Sequence, residues 1–253
     1  MARGAELKAD PSAQLRLLDV QELDARADQL RHRLASMPEH ADIAAARAQV
    51  QDLDNLALDA RTRVEDLTAD QEKADADVEV VKARRTRDRD RMDKGLITNP
   101  KDLERMQQEL VSLERRISTL EDEEIAVMEQ LEEAQRELAD FTEQSRAARE
   151  KGAALVASRD AKTAEIEAEL ATIAAQRGPA AEGLPADLLA LYDKLRASKD
   201  GVGAAALRAR ECGGCRLSLD AGELAAIRAA PEDDVIRCAE CQRILVRTPE
   251  SGL

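Results

Sequence analysis

The chain is nearly empty of aromatic rings. Among 253 residues it has no Trp, one Tyr (Tyr192) and one Phe (Phe141). A single thick core of this length would draw on many more large side chains. Ala, Leu, Glu, Arg and Asp dominate instead, the composition of long helices that bury only a narrow seam. No apolar run approaches the length that spans a bilayer. Met1 to Asp10 holds no apolar stretch of the kind that directs export. The expectation is a cytoplasmic protein with no membrane partner. A formal charge of −14 disfavours broad adhesion to nucleic acid or anionic lipid and leaves only local basic patches to act.

Cysteine is also scarce, and its placement is informative. The four present are Cys212-Gly213-Gly214-Cys215 and Cys238-Ala239-Glu240-Cys241. Two C-x-x-C pairs supply the four thiolates of a closed tetrahedral zinc site. In a reducing compartment such thiols bind metal rather than form disulfides. Redox chemistry goes with a single pair beside a βαβ pattern, which is missing here. The expected cofactor is one structural Zn2+ on Cys212, Cys215, Cys238 and Cys241. Four thiolates leave no open coordination position, so catalytic zinc is not expected. His32 and His40 lie far off in helical sequence and read as surface residues.

Proline and glycine are rare enough to mark boundaries. Asp10-Pro11-Ser12 is helix-start chemistry. A seam follows at Leu23, Ala27, Leu30, Leu34 and Met37, and Pro38 interrupts it. It resumes at Ile43, Ala46, Val50, Leu53, Ala57, Ala60, Val64, Leu67, Gln71, Ala74, Val78 and Val81. The phase slips by one residue at Pro38, which predicts a kink or break there. Gly95 then suits a helix C-cap, Asn99 an N-cap and Pro100 a first helical position. The return arm reads Leu103, Met106, Leu110, Leu113, Ile117, Leu120, Glu124, Val127, Leu131, Ala134, Leu138 and Phe141, always in steps of three or four. An antiparallel hairpin pairs Val78 with Ile117, Gln71 with Glu124, Ala60 with Ala134 and Ala46 with Ala148, so polar meets polar and small meets small. Matching arm lengths predict that the first helix continues the outbound arm, which puts the N-terminus and the metal module at the same end.

The sequence thus predicts a mainly α protein, a long antiparallel coiled-coil hairpin followed by a small C-terminal zinc ribbon. The expected division is a tail over 1–11, the hairpin over 12–177 with its tip at 95–100, a linker and short helix over 178–200, and the ribbon over 201–253. Breakers at Gly178-Pro179 predict the stalk's end at Arg177. Asp220 and Glu223 have capping-box spacing and predict a helix through Ala230. Val235-Ile236-Arg237 and Ile244-Leu245-Val246 read as short strands flanking a turn.

The chain resembles the bacterial C4-type zinc-ribbon proteins with an N-terminal coiled-coil hairpin, formerly a domain-of-unknown-function family. Three stretches carry the resemblance: the turn and arm from Gly95 to Leu110, the acidic stretch Leu120-Glu121-Asp122-Glu123-Glu124 to Glu129, and the ribbon from Cys212 to Arg247. One departure is Gln242, where the family usually has Gly after the last cysteine. A left-handed backbone there costs a non-Gly residue about 1–2 kcal/mol. The resemblance implies an adaptor rather than an enzyme. It also brings relatives linked to flagellar or type III secretion, to the alternative sigma factor sigma-54 and to messenger RNA.

Two functional readings compete. The first is a non-enzymatic scaffold that presents the tip and the ribbon to protein partners, in transcription- or secretion-related regulation. The second is RNA or DNA binding. Lys82, Arg84, Arg85, Arg87, Arg89, Arg91 and Lys94 against Asp88, Asp90 and Asp93 give a local +4 before the turn, and Arg216 and Arg243 flank the knuckles. Such residues can contact phosphate, but no aromatic side chain lies nearby for bases to stack on. Solvated helix-surface charge is the plainer reading of the same residues. No nucleophile–base set, phosphate loop or small-molecule site is visible. Monomer and homodimer both remain open.

Overall fold

A computed structural model describes residues 7–253. The elements run α1 (Pro11–Ala35), α2 (Glu39–Asp93), α3 (Pro100–Ala181), α4 (Ala186–Ser198), β1 (Ala204–Arg208), β2 (Glu211–Cys212), α5 (Ala221–Ala229) and β3 (Ile244–Arg247). The chain packs as two units. One holds residues 41–156, and the other joins the N-terminal residues through 40 to residues 157–253.

The 41–156 unit is the hairpin. Every seam position read from the sequence between Ile43 and Phe141 is buried or half-buried. Val78, Ala60 and Ala134 are each 1% exposed. Ion pairs flank the seam across the two helices: Lys82–Glu121, Arg84–Glu109, Arg63–Glu137 and Arg149–Asp54. Buried Ser145 donates its hydroxyl to Asp54 Oδ1 at 2.6 Å. At the tip, the Leu96 N–H reaches Arg91 O and the Gly95 N–H reaches Met92 O, with Gly95 at φ +63°. This pair of hydrogen bonds over a left-handed glycine is the Schellman ending, which satisfies carbonyls the helix leaves free. Asn99 Oδ1 then accepts from the Lys101 N–H at 3.0 Å and caps α3.

In the other unit, Asp10 caps α1 by accepting from the Ser12 N–H at 2.8 Å, and Pro11 opens the helix. The chain breaks at Ser36–Pro38, as the phase slip predicts. α1 lies against the last part of α3, through Asp24 to Arg177 and Met37 to Thr163. Glu39, the first residue of α2, pairs with Lys162. Leu17 and Val20 of α1, Leu188, Tyr192 and Leu195 of α4, and Ala204, Ile244 and Val246 of the sheet share one core.

The sheet order is β2-β1-β3, with β1 antiparallel to β2 and parallel to β3. Period-two alternation splits its side chains between two faces. Ala204, Ile244 and Val246 face the helices. Ala205, Leu207 and Leu245 pack with the cysteines and Ile227 of α5. The capping box forms as read: Asp220 accepts from the Glu223 N–H, and Glu223 accepts from the Asp220 N–H.

Two expectations need correction. α3 does not stop at Arg177; it continues through Pro179 to Ala181. Proline forfeits one backbone bond near the helix end. The last turn is nonetheless held, because Ala180 and Ala181 pack on the core and the Arg16 guanidinium donates to Glu182 O and Gly183 O. Val235–Arg237 is not a strand. Within it only Arg237 makes an isolated bridge, to Ile244, and Asp234 just before it bridges Lys8. The strand beside β3 is instead β1, whose Ala204-Ala205-Ala206 lacks the branched side chains that signal a strand.

Candidate metal centre and charged hairpin tip

Each knuckle is a tight turn closed on its own first cysteine. The Arg216 N–H reaches Cys212 O at 2.7 Å, and the Gln242 N–H reaches Cys238 O at 2.9 Å. The residue after each second cysteine is left-handed, Arg216 at φ 62° and Gln242 at φ 64°. The family's usual glycine would adopt this conformation without strain. Gln242 compensates in part, because its side-chain amide donates to Cys238 O and Ala239 O at 3.2 and 2.9 Å. β1 steadies the first knuckle from behind: the Gly213 N–H reaches Ala206 O. The second is anchored by the Cys238 N–H to Arg243 O.

These turns bring the four sulfurs within 4.8 Å of one another. Cys212 and Cys241 Sγ stand 3.8 Å apart, and Cys215 and Cys238 Sγ stand 3.9 Å apart. A zinc tetrahedron with about 2.3 Å bonds has sulfur–sulfur edges of about 3.8 Å. The donor set therefore fits one zinc ion. The thiols differ among themselves. Burial pushes Cys212 up to about 12 and raises Cys238. Burial opposes ionisation of Cys241 as well, but hydrogen bonds from Arg243 and the neighbouring thiols outweigh it and bring Cys241 down to about 7. A bound zinc ion deprotonates its thiol ligands outright.

Residues 20–200 match the CT398-like coiled-coil hairpin domain, and residues 212–245 match the C4-type zinc ribbon domain. The chain belongs to the CT398-like coiled-coil hairpin family. The Mycobacterium tuberculosis protein Rv2229c is 35% identical over 248 residues, 95% of this chain and 98% of its own length. A solved structure from Mycobacterium smegmatis aligns with TM-score 0.80 and 32% identity, covering 96% of this chain and all of that one. CT398 of Chlamydia trachomatis aligns with TM-score 0.66 at 18% identity over 94% of this chain and 98% of its own, a likeness of fold. The C4 ribbon match agrees with the sulfur geometry: one zinc ion on four cysteines.

The nine basic residues singled out from the sequence have different surroundings. Lys82, Arg84 and Arg85 are paired across the hairpin with Glu121, Glu109 and Glu114. Lys94 pairs with Asp90 on its own helix. Among the described residues, Arg87, Arg89 and Arg91 have no carboxylate partner and are exposed. Arg216 is exposed on the first knuckle. Arg243 is half-buried and donates to Val202 O and Lys199 O, each at 2.9 Å. Its guanidinium ties the start of β3 to the loop after α4.

Sequence reasoning missed a polar cluster on α1. Gln14, Gln21 and Asp24 are 3%, 8% and 5% exposed. Gln14 donates to Ala9 O and Glu232 O. Gln21 accepts from the Gly203 N–H at 2.7 Å and donates to Gly201 O. Asp24 accepts from Arg177 Nε at 2.7 Å and Tyr192 Oη at 2.8 Å. Burial works against its charge, but these bonds and the charges of Arg177 and Arg196 hold its carboxyl below the ordinary range. Their 3-4-3 spacing with Leu17 puts Gln14, Gln21 and Asp24 on one helix face, but polar residues at that spacing do not signal burial. No helix among the described residues is long and apolar enough to cross a membrane.

Proposed function

We propose that the chain is a non-enzymatic adaptor that presents a hairpin tip and a zinc ribbon to protein partners, in transcription- or secretion-related regulation of the kind the family resemblance implies. One observation carries this reading. Both places combine, close in sequence, an exposed leucine and an exposed arginine with no ion pair among the described residues: Leu96, 66% exposed, with Arg91, and Leu217, 50% exposed, with Arg216. Arginine is enriched among interface hot spots, and an exposed leucine near it adds apolar surface that gains by being covered. The zinc centre supports the same reading, since four thiolates fill its coordination and leave it a folding role.

The test is affinity capture from the native host, comparing the parent with Leu96→Ser/Arg91→Glu and Leu217→Ser/Arg216→Glu. Point changes are preferred to deletion of the ribbon, because β3 is part of the core around α1. Each variant is expected to lose a distinct set of partners. If both keep every partner of the parent, the adaptor reading fails.

Nucleic-acid binding is the second reading, favoured by Arg87, Arg89 and Arg91, which stand within about one turn of α2 and are unpaired among the described residues. It predicts an RNA or DNA mobility shift that weakens steeply with salt and disappears on changing all three to Gln. Unchanged mobility at low salt ends it.

A further inference from the structure

Two blocks of opposite charge lie on the 41–156 hairpin. Residues 82–94 carry seven basic and three acidic side chains, whereas residues 121–133 carry seven acidic and none basic. Within the first block Arg87, Arg89 and Arg91 have no ion pair among the described residues. Within the second Asp122, Glu123, Glu129, Glu132 and Glu133 are exposed and have none among the described residues. At about 1.5 Å per helical residue, the centre of the basic block lies about 13 Å from the tip and the centre of the acidic block about 45 Å. The blocks meet only at their edges, through Lys82 and Glu121; their centres lie about 32 Å apart along the hairpin, so the free charges of one block cannot reach those of the other within the chain.

We infer that two copies of this chain associate through their hairpins, antiparallel and overlapped, the basic block of each against the acidic block of the other. Two-fold symmetry makes both contacts at once. The overlap that matches the charges is about 58 Å, the sum of the two distances from the tip. Exposed apolar side chains agree with it. Val111 and Ile125 are each 53% exposed, and their separation of two heptads places them on one side of α3. They lie about 21 and 42 Å from the tip, so an overlap of about 63 Å sets Val111 of one copy level with Ile125 of the other. The two offsets agree to within one helical turn. This inference goes beyond the adaptor reading and stands independently of it.

The experiment is light scattering on the zinc-loaded full chain at tens of micromolar. Raising salt from about 0.1 M to about 1 M shortens the Debye length from about 10 to about 3 Å. A mass of twice 27.7 kDa is expected at low salt, falling toward the single chain at high salt. Arg87→Glu/Arg89→Glu/Arg91→Glu and Glu129→Lys/Glu132→Lys/Glu133→Lys should each be monomeric. An equimolar mixture of the two should be dimeric, because each reversed block then meets its complement. Unchanged helicity by circular dichroism separates lost association from lost folding. A single-chain mass at low salt, a dimer that survives either reversal, or a mixture that stays monomeric overturns the inference.

Discussion

The Tyr192 hydroxyl donates a 2.8 Å hydrogen bond to the Asp24 carboxylate, 168 residues away in sequence. The only tyrosine in the chain is fully buried, so its spectroscopy reports on the unit that joins α1, α4 and the ribbon.

Replacing Asp24 by Asn should destabilise that unit by about 2–3 kcal/mol, the range for losing charged hydrogen bonds. The carboxyl is held below its ordinary range in the folded protein. Its stabilisation is therefore present above the unfolded value near 4 and is lost as pH falls through the lower folded value. Thermal melts of parent and variant followed by Tyr192 emission should differ at pH 7 and converge in acid. Tyr192→Phe, which leaves the Arg177 bonds intact, should cost only about 1 kcal/mol, read by calorimetry because this variant has no tyrosine.

Zinc removal should reach Tyr192. β1 and β3 place alternate residues against the cysteines and against the helices, so loosening one face loosens the other. A chelator strong enough to strip the metal, or Cys212→Ser, should release about one zinc per chain and shift the tyrosine signal. Far-ultraviolet circular dichroism should fall only slightly, because the hairpin seam contains no ribbon residue. An unchanged tyrosine signal after complete zinc loss would refute this coupling.

Gln242 offers a three-way comparison. Gln242→Ala keeps the left-handed strain and loses the amide bonds to Cys238 O and Ala239 O, so it should weaken zinc retention by about 1 kcal/mol. Gln242→Gly loses the same bonds but relieves the strain and should lie within about 1 kcal/mol of the parent. Competition with a chromogenic chelator measures the order, with Ala the weakest.

Gly95 sits at φ +63° with no atom within 4 Å of where a Cβ would be. Gly95→Ala should therefore cost about 1 kcal/mol through backbone strain alone. Gly95→Asn should recover part of it, since Asn tolerates this conformation. Urea melts monitored by helicity decide. Equal losses for Ala and Asn would point to something other than backbone strain.

The hairpin was legible because its information is local and repetitive. Three-four spacing from Ile43 to Phe141 fixes one buried face whatever lies elsewhere. Gly95, Asn99 and Pro100 mark the turn by their own backbone preferences. The cysteines were legible because four thiolates at knuckle spacing have few other uses. Burial of Gln21 and Asp24 was not legible, because it depends on Gly203, Arg177 and Tyr192, all more than 150 residues away. β1 was missed because three alanines carry no strand preference, and parallel pairing with Ile244–Arg247 alone makes them a strand. Arg243 looked like a free surface cation because nothing nearby in sequence reveals two carbonyls waiting for it.

The packing of α1 against α4 and the sheet also sets an order of events on the ribosome. α1 is made well before Leu188, Tyr192, Ile244 and Val246. At synthesis rates of about 5–20 residues per second, α1 waits roughly 10–40 s for its partners. During that interval residues 41–156 can complete their own seam. Until then Leu17 and Val20 of the first helix are uncovered, and the four cysteines can gather a metal only after both arms of the hairpin have been made.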